Sequence, residues 1–132
     1  MCMFIAVGFG VKNKPNEEIS LIAPLDLYIE PLENESLKVV LNSHKYRTFW
    51  LTKGGCSCKL LSASYKESVV AFLNAAIEND CLVTVLMLDI PGDISSYCVK
   101  PEKVNKEKIS FIDFKTLYPN ILINTRYIIS KI

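Results

Sequence analysis

The sequence has almost no net charge and contains a single histidine. Its 15 lysine and arginine residues nearly balance 14 aspartate and glutamate residues, so the formal charge is +1 at pH 7. No overall electric field therefore favours a nucleic acid or an anionic membrane surface. The longest apolar runs, Met1–Val11 and Cys81–Ile90, are far shorter than the roughly 20 residues of a membrane-spanning helix. We expect a cytoplasmic protein with neither a membrane nor a nucleic acid partner.

The chain also lacks the short motifs of common catalytic and ligand sites. It has no phosphate-binding or dinucleotide-binding glycine loop, no HExxH zinc motif, no GxSxG nucleophile motif and no EF-hand loop. Because His44 is the only histidine, a cysteine or serine enzyme would have one imidazole base to use. We find no complete set of catalytic residues.

The composition is that of a folded globular protein. Half of the 132 residues are hydrophobic and 22% are charged, and the mean hydropathy is +0.24. Such a chain can bury a sizeable core, which excludes intrinsic disorder and low-complexity structure. Its length matches one domain, so residues 1–132 are expected to form a single α+β domain.

The first half has the composition of antiparallel strands. β-Branched and aromatic residues alternate with turn residues, and Pro24 and Pro31 place their strands at an edge or a bend. The predicted strands are Met3–Val11, Ile19–Ala23, Leu25–Glu30, Leu37–Leu41 and Tyr46–Thr52, with a loop at Lys12–Glu18.

The second half contains the main helix, predicted over about residues 65–79. Ser64 and Glu67 have the spacing of a capping box, and an apolar stripe at helical spacing follows them. We further predict a central buried strand at Cys81–Leu88, a solvated connection at Lys100–Lys108, a short helix at Phe111–Tyr118 capped by Ser110, and a last strand at Ile121–Ile129. The resulting fold is a single, mostly antiparallel sheet packed against one main helix.

The most distinctive local feature is the segment Gly54-Gly55-Cys56-Ser57-Cys58, which precedes the main helix. Three interpretations of its two thiols stay open. Cys56 and Cys58 could ligate zinc, with His44, Cys81 or Cys98 completing the ligand set. Alternatively, one of them could be a nucleophile that Lys53 or Lys59 helps to ionise, with His44 as its base. In the third, one of them is buried as a small apolar residue while Ser57 faces outward. Cys2 is interpreted as a residue of the first strand.

Aromatic residues and cations are concentrated between His44 and Trp50. On a strand, Tyr46 and Trp50 point to one face and Arg47 to the other, which argues against a nucleic acid surface. Trp, Tyr and Arg dominate the energetics of protein interfaces. We therefore select Tyr46, Trp50, Tyr97 and Arg47 as candidate contact residues, with Arg126 as a weaker candidate.

By elimination, the leading functional expectation is a protein-binding or regulatory module. Small cytosolic α+β proteins of this composition resemble, in type only, immunity proteins or inhibitors that neutralise a partner by surface association. The partner would be another protein, and a homodimer through an uncovered sheet edge is a further option. The alternative expectation is a thiol enzyme or zinc protein centred on Cys56, Cys58 and His44, with zinc as its cofactor.

Overall fold

The computed structural model describes residues 2–11, 27–53, 55–78, 81–94 and 96–131. Within these ranges the chain forms one six-stranded sheet and three α-helices, so the predicted α+β class is confirmed. The strands are β1 (Cys2–Val11), β2 (Tyr28–Pro31), β3 (Arg47–Thr52), β4 (Cys81–Ile90), β5 (Asn105–Ser110) and β6 (Thr125–Ser130). The helices are α1 (Glu35–Val40), α2 (Ala63–Glu78) and α3 (Phe111–Leu117), and short 3₁₀ turns lie at Cys58–Leu61 and Pro101–Lys103. In this part of the chain, no helix combines the length and apolar character needed to cross a membrane.

The sheet is built around one long antiparallel pair. The strand order is β2-β3-β1-β4-β6-β5, and every neighbouring pair is antiparallel except β5 with β6. Strands β1 and β4 pair along their whole length, from Cys2 opposite Ile90 to Val11 opposite Cys81. This confirms the prediction that the apolar run at Cys81–Leu88 lies in the middle of the sheet.

Both faces of the central strands are buried. Along β1, Ile5, Val7 and Phe9 pack under α2 and α3, whereas Phe4 and Ala6 pack under α1. A strand covered on both faces has no solvent side, which explains why β1 and β4 are largely apolar and do not alternate regularly with polar residues. The main helix contributes its predicted stripe to the first core: Val69, Phe72, Leu73, Ala76 and Ile77.

The predicted strand at Leu37–Leu41 is wrong, because these residues belong largely to helix α1. The Asn34 side chain caps this helix by accepting a hydrogen bond from the Leu37 N–H at 3.1 Å. Leu37 and Val40 then reach the second core from one side of the helix. The sequence Leu-Lys-Val-Val-Leu has strand composition, so burial of this apolar side overrides local propensity.

The charged segment Lys100–Lys108 is more ordered than predicted. It is solvated, but residues from Asn105 onward form the edge strand β5, which runs parallel to β6. Charged side chains suit an exposed edge strand because they discourage pairing with other chains. The same charges give the segment the composition of a solvated loop, so its composition does not predict a strand. The last strand begins at Thr125, four residues later than predicted, after Asn124 with a left-handed φ of 60°.

The helix predictions are confirmed in extent, with one correction at a terminus. Helix α2 begins at Ala63, so Ser64 lies inside its first turn and is not the cap that its spacing with Glu67 suggested. Helix α3 is capped as predicted, because Ser110 Oγ accepts a hydrogen bond from the Asp113 N–H at 3.2 Å. The predicted loop at Lys12–Glu18 and strand at Ile19–Ala23 lie outside the described residues.

We predict that Gly10→Ala destabilises the protein by about 1–3 kcal/mol, the usual cost of forcing an extra group into a packed interior. A Cβ at Gly10 would overlap the backbone carbonyl oxygen of Lys45, which cannot rotate away. Urea unfolding measures the change. The matched control is Gly92→Ala, where a Cβ meets nothing within 4 Å, so its effect should stay within about 0.5 kcal/mol. Equal effects of the two substitutions would contradict this account of Gly10.

Candidate metal centre

The segment after β3 folds back as a tight hairpin. The Lys53 N–H donates to the Cys56 carbonyl at 2.8 Å, and the two residues form an antiparallel bridge. Gly55 lies inside this turn with a φ of +91°, a conformation that residues with a side chain rarely adopt. Gly55 therefore allows the chain to reverse tightly at this point and to bring Cys56 back towards β1.

Ser57 fastens this hairpin to the start of β1. Its backbone N–H donates to the Met3 carbonyl at 2.8 Å. Its hydroxyl accepts from the Ile5 N–H at 2.8 Å and donates to the Leu51 carbonyl. Ile5 and Leu51 are register partners at the end of the β1–β3 ladder, so the hydroxyl bridges the two strands where their pairing stops. A fully buried hydroxyl with both hydrogen-bonding functions satisfied positions the hairpin firmly.

The observed orientation of Ser57 and the neighbouring cysteines is the opposite of the predicted one, because the serine points inward and the cysteines lie nearer the surface. Ser57 is 0% exposed, whereas Cys56 is half-buried and Cys58 is exposed. The interpretation in which Ser57 faces outward is wrong, because the serine hydroxyl supplies the hydrogen bonds that the two strands need at this point. Both thiols are thereby left at or near the surface.

Three cysteine thiols converge beside this hairpin. The Sγ atoms of Cys2, Cys56 and Cys58 all lie within 4.8 Å of one another, and all three cysteines are free thiols. Tetrahedral thiolates bound to zinc at about 2.3 Å are separated by about 3.8 Å, so small side-chain rotations would suffice to close the cluster on one ion. The spacing of Cys56 and Cys58 indicated a thiol site, but nothing in the sequence linked Cys2 to them.

A backbone N–H group already donates a hydrogen bond to one sulfur of this cluster. The Met3 N–H donates to Cys58 Sγ at 3.2 Å. Backbone N–H donors to a thiolate stabilise its charge and tune a bound metal. Lys53, which the sequence offered as a cation for these thiols, instead places its ammonium 5.0 Å from the ring centroid of Tyr28.

His44 is not part of this cluster. It lies in the turn before β3, where the neighbouring Lys45 carbonyl packs against Gly10 near the far end of β1. Cys2 and Gly10 are eight positions apart along β1, or about 27 Å. The structure therefore brings together Cys56, Cys58 and Cys2, and it separates His44 from them. Within the described ranges, the three cysteines are the only group of metal-ligating side chains of this kind.

The candidate contact residues differ in their exposure, and two of the four are buried. Tyr46 is 4% exposed and Trp50 3% exposed, so these two side chains serve the core and do not present a surface to a partner. Trp50 packs edge-on against Phe4 with ring centroids 5.5 Å apart. Tyr97 is half-buried against the same core, and Arg47 is exposed. On β3, Trp50 and Leu51 point into the two cores on opposite faces of the sheet, whereas Arg47 at the start of the strand is exposed.

Comparison with protein-family models, with curated proteins and with solved structures found no match to this chain. The functional argument therefore depends on the geometry of the chain's own residues.

We predict that Ser57→Ala destabilises the fold by about 1–3 kcal/mol, since it leaves the buried Ile5 N–H and Leu51 carbonyl without their partner. Urea unfolding measures the loss, and cysteine labelling rates report whether the thiols have moved. Ser96→Ala is the control: Ser96 is exposed and makes one 3.4 Å hydrogen bond, so a change within about 0.5 kcal/mol is expected. A neutral Ser57→Ala would show that the hydroxyl does not fasten the hairpin.

Proposed function

We propose that this protein binds a thiophilic metal ion, with zinc as the reference ion, through Cys2, Cys56 and Cys58. The observation that carries the proposal is the convergence of three free thiols within 4.8 Å. Cysteine thiolates are soft ligands that select zinc, copper(I) and similar ions over magnesium or calcium. Three thiolates around one zinc ion leave a fourth coordination position for water or an exchangeable ligand.

The exposure of the cluster favours an exchangeable metal over a purely structural one. Cys2 and Cys58 are exposed and Cys56 is half-buried, so a metal and its fourth ligand can reach the sulfur atoms from solvent. The fold does not need the ion to hold its strands together, because the Ser57 hydrogen bonds already join the hairpin to β1. We infer a site that takes up, delivers or senses a metal ion in a reducing compartment such as the cytoplasm, where thiols stay free.

Catalysis by one of these cysteines has less support. A cysteine nucleophile is activated by a general base or by an adjacent cation. His44 lies near the opposite end of β1, and the Lys53 ammonium faces Tyr28. The Met3 N–H donates a hydrogen bond to Cys58 Sγ, and backbone N–H donors to ligand sulfurs are typical of metal–thiolate sites, where they tune the bound ion.

Association with another protein is the second candidate function. It is favoured by large apolar side chains that the fold leaves in solvent: Ile112 is 70% exposed and Leu122 61% exposed. Both lie in or just after α3, on the side of the sheet opposite α1. A contiguous exposed patch of such side chains is typical of a surface that a partner covers.

We predict that the reduced protein binds one Co²⁺ or Zn²⁺ ion per chain. Tetrahedral cobalt–thiolate coordination gives visible absorption bands, and zinc competition then gives the relative affinity. Replacing Cys2, Cys56 or Cys58 singly by serine should weaken binding at least about 100-fold, since loss of outer-shell partners alone costs about 10–100-fold. Affinity should also fall as the pH is lowered, because the metal competes with protons for the sulfurs.

The matched control for these metal titrations is Cys98→Ser, which removes an exposed thiol outside the cluster. It should leave the stoichiometry and affinity unchanged. Absence of the cobalt bands in the reduced wild-type protein would refute the metal proposal, and so would equal losses in Cys98→Ser and Cys56→Ser.

For the second candidate, we predict that the double variant Ile112→Glu/Leu122→Glu loses a partner that crosslinks to the wild-type chain in its source cell. Both positions are exposed, so the fold should tolerate the charges. The control is Ala71→Glu, which introduces the same charge at an exposed position of a different helix, α2. A crosslinked partner retained by the double variant would exclude this surface.

A further inference from the structure

A second region with its own chemistry lies beside the C-terminal end of α1. A cavity of about 270 Å³ is lined by residues of α1 and its following turn, of the segment before β5, and of the paired strands β5 and β6: Val39, Val40, Asn42, Pro101, Val104, Lys106 and Arg126. Two of these seven residues, Lys106 and Arg126, are cations. No aspartate or glutamate contributes to the lining.

Arg126 is a buried cation without an anionic partner in the described ranges. It is only 5% exposed. Its Nε donates to Thr84 Oγ1 at 2.9 Å and its Nη1 donates to the Val40 carbonyl at 3.2 Å. Its guanidinium carbon lies 5.3 Å from the ring centroid of Tyr46. Both ion pairs in the described part of the chain belong to Lys38, so no carboxylate there neutralises Arg126.

This burial is energetically unfavourable for the charged guanidinium. Loss of hydration lowers the pKa of Arg126, and its contact with Tyr46 only partly offsets that effect. Buried charges in proteins are normally paired, because an isolated charge loses its hydration without compensation. The hydrogen bonds to Thr84 and to the Val40 carbonyl engage Nε and Nη1, and a guanidinium has five N–H donors in a planar fork.

Lys106 adds a second positive charge at the same place. Lys106 and Arg126 are register partners in the parallel β5–β6 pair, so their backbones are about 4.8 Å apart. Like charges on neighbouring strands repel each other. An anion held between them would relieve this repulsion and supply the charge that Arg126 lacks.

We propose that this cavity binds a small organic anion, with a phosphate or carboxylate group held by Arg126 and Lys106 and an apolar portion packed against Val39 and Val104. The guanidinium fork matches the oxygen geometry of both groups. Val39 is 69% exposed although it lines the cavity, so an apolar portion of the ligand would cover it. This site is separate from the cysteine cluster and does not depend on the metal proposal.

The experiment titrates the full-length, isotope-labelled protein with phenyl phosphate, benzoate and inorganic phosphate at constant low ionic strength, and follows it by NMR. The Arg126 Nε–H signal and the Lys106 amide should shift on saturable binding of at least one aromatic anion. Tighter binding of phenyl phosphate identifies a phosphate ligand, and tighter binding of benzoate identifies a carboxylate ligand. Inorganic phosphate should bind more weakly than phenyl phosphate, because it lacks the apolar portion.

The decisive variant is Lys106→Ala, which changes an exposed side chain and leaves the fold intact. It should weaken binding of the better aromatic probe about 5- to 10-fold, as expected for loss of one charge-assisted contact. The matched control is Lys108→Ala, an exposed lysine on the same strand that does not line the cavity, and its affinity should match wild type. Equal weakening in both variants, or no saturable shift with any probe, would overturn the proposal.

Discussion

The antiparallel pairing of β1 with β4 is the interaction on which the rest of the structure depends. The two strands pair along their whole length, and both of their faces are buried. Because successive side chains alternate between the faces, a slip of one residue would exchange the side chains under α1 with those under α2. The register is therefore strongly determined by packing, and it also positions both sites. Cys2 lies at one end of this pair, and Leu86 in its middle is the partner of Arg126 in β6.

The two proposed sites arise where this ordered interior meets less regular structure. At the end of the β1–β3 ladder, a serine hydroxyl continues the hydrogen bonding that the strands can no longer provide. The backbone that Ser57 fastens in this way carries a cysteine on each side, and the first strand supplies the third. At the other site, β6 directs a cation into the interior on the side covered by α1, where Thr84 and the Val40 carbonyl hold it. Both are polar arrangements on a strongly apolar framework.

Asn34 shows how much of the α1 side depends on polar contacts over long sequence distances. Its side-chain oxygen caps α1, while its amide nitrogen donates to the carbonyls of Ile94 and Tyr97 at 2.8 and 2.6 Å. Ser36 adds a bond from the Val99 N–H at 3.0 Å. These contacts join α1 to the segment after β4, so that a helix of only six residues becomes a stable cover for the second core. A helix this short is marginal on its own and depends on such tertiary partners.

Features determined by local pattern or by hydrophobic content were accessible from the sequence. The apolar stripe of α2, the largely apolar strands β1 and β4, and the Ser110 cap of α3 each arise from neighbouring residues, and the structure contains all of them. Helix α1 and strand β5 were not accessible. The first has strand composition and folds as a helix because the core needs its apolar side, and the second is a charged segment that pairs because β6 offers a parallel edge.

The sequence by itself determined the α+β class, the central strands and the suspicion that Cys56 and Cys58 carry chemistry, because hydrophobic periodicity and turn residues act over a few positions. Only the tertiary structure decided which side chains meet. It placed Cys2 beside the other two thiols and His44 near the far end of β1. It also buried Tyr46 and Trp50, and it placed Lys106 beside Arg126. Strand register and long-range hydrogen bonds set these contacts, and neither can be read from the spacing of residues along the chain.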